Sequence, residues 1–383
     1  MSPRFLACGD LHIGAGRGLY PERLSEQQAV WQRIIDLAAE HSCEAILFAG
    51  DAFHRNHPDD DERQAFTVPL LTSSVPVYAI NGNSHDWRGH GRKMAVETAA
   101  LGAGTLTVST VPEVLPLTGG VSLCTLPWTP VARLVADAGG GDRDDINAYA
   151  AELLVEAASG LRARVEGEAL LLAHWSISGA SLPTGLDVGQ LREVVLPLAD
   201  LGDVGFDLIV AGHIHKPQLL PHSNGGYCGM YVGSPMALDF GEGGFEHGVW
   251  LLDSAKQPEF VPVESRPFLT LTYPDLQHEQ EPPDVTDAVV WMRAKLTAAD
   301  AGSFDVVDAA DWKRRLLDAG AHHVRVTVDV ERAARPSRGV QIADDLGPVE
   351  QLDVWLREAC GVNGDEAASL VERGRGYLEG GAQ

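Results

Sequence analysis

Five short apolar runs, "RFLAC", "EAILFAG", "VPVYAI", "EALLLAH" and "FDLIVAG", each give way to a loop carrying aspartate, asparagine or histidine. This recurrence constrains the fold more than any other feature of the chain. Runs this short, bounded by Gly, Asp or Asn, are buried strands rather than helices. Between the first two, Trp31, Ile34, Ile35 and Ala38 recur at i, i+3, i+4 and i+7, which is the stripe of an amphipathic helix. A second helix is predicted from Asp144 to about Arg164. Strands alternating with helices make an α/β sheet whose loops collect at the carboxyl ends of the strands. Further short strands with glycine turns follow in residues 227 to 263 ("YCGMYVGSP", "HGVWLLD", "EFVPVE"), and they complete a layered sandwich.

After "ESRPF" the pattern changes. A strand at "LTLTYP", an acidic, proline-containing segment at 274 to 288, helices at "DAVVWMRAKL" and "DWKRRLLDAG" and a strand at "HHVRVTVDV" suggest a small second α/β unit. Residues 333 to 347 read as a linker. In the tail, Leu352, Trp355, Leu356 and Ala359 form one helical stripe, and Leu370, Val371, Tyr377 and Leu378 form the next, with the turn at Gly361 to Gly364. The expected domains are therefore 1–265, 266–335 and 345–383.

Several classes of protein are disfavoured. The opening MSPRFLACGD is no signal peptide, and no apolar run nears the roughly 20 residues of a membrane span, so a soluble, cytoplasmic protein without membrane contact is expected. The five cysteines (Cys8, Cys43, Cys124, Cys228, Cys360) are scattered and make no CxxC, which argues for buried free thiols over a disulfide framework or a thiolate zinc site. A net charge of −25 repels nucleic acid at long range. If the chain handles DNA, bound metals or a basic partner must supply positive charge.

The strand-end loops are "GDLHIG" (Asp10, His12), "AGDAFHR" (Asp51, His54), "NGNSHDW" (Asn83, His85, Asp86), "LLAHWSISG" (His174) and "AGHIHKPQ" (His213, His215). A lone histidine after a strand is usually a hydrogen-bonded loop residue. Here six of 14 histidines fall in these five loops, and one sheet edge would gather them. In D-x-H and H-x-H, side chains at i and i+2 of an extended segment share a face, so each pair can chelate one ion. Asp51 can bridge two ions with its two oxygens. Carboxylate, amide and imidazole donors without thiolate suit manganese, iron or zinc and suit calcium poorly. The pattern predicts a dinuclear centre.

D-x-H, G-D-x-x-H, G-N-(x)-H-D, a lone His after a strand and G-H-x-H-x-P-Q, in that order, resemble the calcineurin-like metallophosphoesterases. The histidine of "GDAFH", the "KPQ" after "GHIH" and the later "YVGSPMALDFGE" narrow the resemblance to SbcD-type DNA repair nuclease subunits. It implies a four-layer α/β β-sandwich flanked by helices, with a small α/β capping domain for DNA binding and specificity and a C-terminal helical tail that docks a partner. It implies two divalent ions, manganese first among them. Asp10, His12, Asp51 and His215 would hold one ion, and Asp51, Asn83, His174 and His213 the other. It further implies 3′ to 5′ exonuclease and single-strand endonuclease action in DNA repair and recombination, through a hydroxide activated by the two metals. His54 would orient the phosphate, and His85, its ring steadied by Asp86, would protonate the departing 3′ oxygen. The implied partners are DNA, an SbcC-like coiled-coil ATPase and a second copy of the chain.

One departure needs an explanation. The family's third motif is contiguous G-N-H-D, whereas Ser84 separates Asn83 from His85 here. One added residue advances an extended chain by about 3.3 Å and flips later side chains, unless a bulge at Gly82 absorbs it. A working bulge is expected because every other motif is intact. The alternatives are a small-molecule phosphodiesterase or phosphatase of the same fold, and a catalytically weakened scaffold. "RGHGRK" (Arg88, His90, Arg92, Lys93) reads as a solvated basic loop or the wall of a DNA path. His57, His222 and His247 receive no role.

Overall fold

The computed structural model describes residues 3–83, 92–136, 142–222, 225–253, 258–273, 281, 283–297, 306–330, 346–359, 362 and 364–380. Along the chain run β1 (Arg4–Cys8), α1 (Arg23–Glu40), β2 (Ala45–Phe48), α2 (Asp60–Thr72), β3 (Val77–Ile80), α3 (Ala95–Ala100), β4 (Leu106–Ser109), β5 (Glu113–Pro116), β6 (Ser122–Leu126), α4 (Val131–Leu134), α5 (Arg143–Arg162), β7 (Ala169–His174), β8 (Ser176–Ile177), β9 (Val195–Leu196), α6 (Leu198–Asp203), β10 (Leu208–Gly212), β11 (Gln218–Pro221), β12 (Tyr227–Tyr231), β13 (Gly248–Asp253) and β14 (Glu259–Pro262). The five apolar runs of the sequence are β1, β2, β3, β7 and β10.

Two six-stranded sheets result, in the orders β14-β13-β1-β2-β3-β4 and β11-β12-β10-β7-β6-β5. The consecutive strands β1 to β4 run parallel, as do β6, β7, β10 and β12, so their carboxyl-end loops emerge together within each sheet. Alternation along each strand separates two cores. Phe5 and Ala7 of β1 meet Leu170 and Leu172 of β7 in the layer between the sheets. Leu6 and Cys8 face the opposite way, onto Trp31, Ile34, Ile35 and Ala38 of α1 and Phe66 and Leu70 of α2. On the outer face of the second sheet, Leu171 and Ala173 pack with Leu154, Ala158 and Leu161 of α5. Strands covered on both faces must be apolar at nearly every position, which is why they read as unbroken runs. The architecture is helix, sheet, sheet, helix. Trp31 shows how tightly α1 is held: it is fully buried, stacks on Phe66 with ring centroids 5.6 Å apart and donates to the Phe66 carbonyl at 3.0 Å. Truncating such a residue costs about 3–5 kcal/mol. The cysteines at 8, 43, 124 and 228 are free and buried.

A third sheet follows, β15 (Phe268–Tyr273), β16 (Val289–Leu296) and β17 (His323–Val330), in that order, with α7 (Val306–Asp318) between the last two strands in sequence. Here one expectation fails: "DAVVWMRAKL" forms β16 and not a helix. Its Met, Arg, Ala, Lys and Leu favour helix, but Val290, Met292, Ala294 and Leu296 are all buried at a period of two, and Val289 N–H donates to the Pro267 carbonyl at 2.9 Å. Sheet pairing and one-sided burial override the local propensity. In the tail, α8 (Pro348–Val354), a π-helical turn (Trp355–Ala359) and α9 (Gly364–Gly380) follow. A Cβ at Gly374 would lie 2.2 Å from Leu352 Cδ2, so a side chain there would have to displace the end of Leu352 where α8 and α9 approach. Leu356 is buried while Trp355 is exposed. The expected linker lies, up to residue 345, outside the described residues.

Contacts divide the chain into two compact units. One comprises Met1–Leu271, Glu279–Met292 and Trp312–Arg325; the other comprises Thr272–His278, Arg293–Asp311 and Val326–Gln383. Both core sheets and all the residues of the site below belong to the first. No helix among the described residues is long and apolar enough to cross a membrane.

Candidate metal centre

The loops after β1 and β2 zip together through the backbone. Asp10 N–H donates to Gly50 O (2.9 Å), His12 N–H to Asp51 O (3.0 Å), Ile13 N–H to Ala52 O (3.0 Å) and His54 N–H to Ile13 O (3.0 Å). The zipper forces a conformation that side-chain-bearing residues avoid. Among the described residues six non-glycines have positive φ, and four of them are Asp10 (49°), His12 (43°), Asp51 (53°) and His213 (92°). Such conformations cost about 1–3 kcal/mol each and persist where the surroundings over-determine them. The loop after β3 comes equally close: a Cβ at Gly82 would lie 1.8 Å from Asp51 Oδ1. The glycine of "NGN" is therefore what lets Asn83 reach the site, and Asn83 N–H donates to Asp51 Oδ1 at 3.1 Å.

Asp51 lies at the middle. It is buried, and its Oδ2 is 3.2 Å from His12 Nε2 and 3.5 Å from His174 Nε2. His12 Nε2 in turn lies 3.2 Å from His215 Nε2. The Asp10 carboxylate accepts from His213 N–H at 3.0 and 3.2 Å. Asn83 Nδ2 is 3.3 Å from His213 Nδ1. Two compact donor groups emerge, Asp10 with His12 and His215, and Asp10 with Asp51 and His174. Burial works against a charge on Asp51, but the His174 and His12 rings outweigh it and hold this carboxyl well below the usual range. Burial likewise opposes a charge on His174, yet Asp51 raises its pKa to about 9; His215, opposed by burial and supported by Glu242 and Asp10, also rises to about 9.

These residues fit divalent metal. His174 Nδ1 lies 2.7 Å from the Ala49 carbonyl, which only accepts, so Nδ1 carries the proton and Nε2 faces Asp51. His215 Nδ1 lies 2.5 Å from Glu242 Oε1, which leaves its Nε2 toward His12. Imidazole nitrogens with their partners fixed behind them and carboxylate oxygens in front are the donors metal ions take. Spacings of 3.2 and 3.5 Å between ligating atoms are close to the edges, roughly 3.0–3.4 Å, expected around an ion with bonds of about 2.1 Å.

All seven residues predicted as ligands (Asp10, His12, Asp51, Asn83, His174, His213, His215) are thus brought together. His54 is exposed, with its ring 5.8 Å from that of His12, and it lines the same cavity of about 580 Å³. His85, Asp86 and the inserted Ser84 lie outside the described residues, as do Arg88 and His90; Arg92 and Lys93 are exposed.

Four supporting residues escaped the sequence reading. Glu242 accepts from His215, Ser234 Oγ (3.2 Å) and Leu238 N–H (3.0 Å). Glu193 accepts from His213 Nε2 at 2.9 Å and from Ser176 Oγ. On α1, Arg23 and Gln27 are fully buried and share the Ala15 carbonyl, at 3.2 and 3.1 Å. Gln27 also accepts from Gly14 N–H (2.9 Å) and donates to His12 O (3.3 Å), while Arg23 reaches Ala237 O (2.6 Å). The signal for Glu242 stood in "YVGSPMALDFGE", and the signal for Arg23 and Gln27 was polarity on a helix face otherwise facing the core.

The sequence profile of the calcineurin-like phosphoesterases matches residues 3–217, which spans every loop that carries a candidate ligand. The chain belongs to that family. Among this family's curated members it is similar to the SbcD subunit of the SbcCD nuclease of Bacillus subtilis (strain 168), 24% identical over 66% of this chain and 66% of the relative. The SbcD subunit of Escherichia coli (strain K12) is 25% identical over 63% of this chain and 62% of the relative. The chain thus spans just under two thirds of the length of these relatives. Among solved structures, TT1561 of Thermus thermophilus aligns with a TM-score of 0.41 and 13% identity, covering 69% of this chain and 100% of that one. A calcineurin-like phosphoesterase with carboxylate, amide and imidazole donors converging in one cavity is a phosphoester hydrolase of the metal-dependent kind.

Proposed function

We propose that this phosphoesterase is a DNA nuclease, acting as a 3′ to 5′ exonuclease and single-strand endonuclease in repair and recombination. The observation that carries the reading is the Asp51 carboxylate between His12 and His174, with His215 and His213 each backed by a glutamate. In this reading Asp10, His12, Asp51 and His215 hold one divalent ion and Asp51, Asn83, His174 and His213 the other, with Mn2+ as the metal. Two such ions supply Lewis-acid charge to a phosphodiester. The chain does the rest: His54 orients the phosphate from the cavity wall, and His85, steadied by Asp86, gives its proton to the departing 3′ oxygen. The SbcD relatives, named as subunits of the SbcCD nuclease, support a nuclease that works in a complex; DNA is the proposed substrate, and a cytoplasmic SbcC-like ATPase the proposed partner that offsets the charge of −25. The tail, residues 345–383, is the proposed docking element, and 266–335 the proposed capping domain.

The test uses purified protein with manganese on linear DNA, bis-p-nitrophenyl phosphate and p-nitrophenyl phosphate. Hydrolysis of both diesters is expected; turnover of the monoester alone would overturn the nuclease reading. His85→Ala is expected to slow DNA hydrolysis about 100-fold or more and nitrophenyl diester hydrolysis far less, because nitrophenolate leaves without a proton. Equal losses on both substrates would remove His85 as the acid.

A further inference from the structure

The cavity that holds the donor cluster has a second wall that no step above uses. Beside His12, Asp51, His54, Asn83, His213 and His215 its lining includes Leu19, Leu238, Phe240 and Arg325, together with the carboxylates of Asp239 and Glu242. Phe240 is half-buried and set by packing, with its ring 5.1 Å from that of Phe268 and 5.5 Å from that of Trp291. Arg325 is exposed, and its guanidinium lies 5.6 Å from the centre of the Trp291 ring, within range of a cation–π contact. Trp291 thus supports both residues from behind. Phe240 is also tied to the donor cluster through its own segment: Glu242, two residues on, is the carboxylate behind His215, and it takes the Leu238 N–H. One short segment therefore backs a candidate ligand and presents an aromatic ring to the same cavity.

We propose that Phe240 and Arg325 form a nucleotide subsite beside the metal centre, in which Phe240 stacks against the base flanking the scissile phosphate and Arg325 pairs with an adjacent phosphate. The inference rests on the phosphodiesterase reading and deepens it. An aromatic ring suits a base because every base offers a π-face, and stacking of this kind tolerates any sequence. A guanidinium suits phosphate through charge and paired donors. Among the described residues lining the cavity, Arg325 is the one fixed cation, so on a chain of net charge −25 it is where a neighbouring phosphate would be favoured. A cavity of about 580 Å³ falls in the ordinary range for small-molecule sites and is large enough for one nucleotide. A simple phosphomonoester would leave this wall unused.

The experiment compares p-nitrophenyl diesters of thymidine 5′-phosphate and thymidine 3′-phosphate with the corresponding esters of abasic deoxyribose, using the full chain with manganese. The wild-type protein is expected to show a kcat/KM about tenfold or more higher for at least one base-bearing ester than for its abasic counterpart. Phe240→Leu keeps apolar bulk against Phe268 and Trp291 but removes the ring; it should erase most of that advantage while leaving the abasic rate within about twofold. Phe240→Tyr should retain it. Arg325→Gln should lower kcat/KM on a short oligonucleotide with little effect on the p-nitrophenyl esters, and should reduce the salt dependence by about one counterion. A wild-type ratio near one, or a Phe240→Leu protein that loses base-bearing and abasic rates equally, overturns the subsite while leaving the phosphodiesterase intact. Hydrolysis of p-nitrophenyl phosphate and of none of the diesters overturns the phosphodiesterase reading itself.

Discussion

His215 and His213 each give one ring nitrogen to a glutamate and turn the other toward the same cavity, yet the two arrangements differ in nearly every physical respect. Glu242 is sealed: its side chain is 7% exposed, and Oε2 is filled by Leu238 N–H and Ser234 while Oε1 takes His215 Nδ1. Glu193 is open, with a side chain 39% exposed, and takes His213 Nε2 and Ser176. His215 therefore presents Nε2 and His213 presents Nδ1. On the sealed side the loop after β1 is also gripped from behind by Arg23 and Gln27. A sealed hydrogen bond cannot be replaced by water when it is cut, whereas an open one can. The two halves of one centre should then respond very differently to equivalent mutations.

The largest effect is expected where the halves join. Asp51→Ala removes the carboxylate that lies within reach of both His12 and His174, so on the proposed two-metal reading both ions should be lost and phosphoester hydrolysis should fall to background. Metal analysis showing two full equivalents in an inactive Asp51→Ala protein would contradict its place as the bridge.

Next comes the sealed half. Glu242→Ala frees His215 to rotate and strands the Leu238 N–H, and outer partners of this kind are typically worth about 10- to 100-fold in metal affinity or activity. The upper end is expected here, together with a destabilisation of about 1–3 kcal/mol from the stranded donor. Glu242→Gln keeps the shape and should recover part of both. Titration of metal into each variant, alongside thermal melts, separates the two effects.

How far this was legible in the sequence follows from the same contrast. The candidate donors stand at strand ends, where glycine and an apolar run mark them; spacing singles out the D-x-H and H-x-H pairs, and the family resemblance supplies the full set of seven, which the fold brings together. Glu242 could be read only as part of "YVGSPMALDFGE", because nothing local pairs it with a histidine 27 residues earlier. Arg23 and Gln27 lie on the buried stripe of α1 that continues through Trp31, and an Arg or Gln there reads as the edge of the stripe until the loop it grips is in view. The strand β16 was legible in principle: Val290, Met292, Ala294 and Leu296 alternate with Trp291, Arg293 and Lys295. Helix-favouring residues masked that period of two, and only pairing to neighbouring strands decides between the two patterns.

Gln27→Ala probes the grip itself. It removes three hydrogen bonds to the loop of His12 without touching the cavity, so kcat is expected to fall about tenfold through weaker metal binding, and excess divalent metal should restore most of it. A loss that excess metal does not restore would mean that Gln27 shapes more than the ligand loop.

The smallest effect is expected at Glu193. Its carboxylate is ordinarily in contact with water, so in Glu193→Ala a solvent molecule can take up His213 Nε2–H with little loss. Burial opposes the charge on Glu193, but His213 and Ser176 outweigh it and hold its carboxyl below the usual range, so it remains charged at neutral pH and acts as an acceptor there. Removing it should cost less than about tenfold in activity, and the cost should be similar in Glu193→Gln. If Glu193→Ala instead matched Glu242→Ala, solvent would not be replacing the carboxylate, and exposure would not be what sets the two halves apart. The tautomer of His213 would then be the controlling feature, because losing Glu193 would let the proton move to Nδ1 and close the nitrogen that faces Asn83.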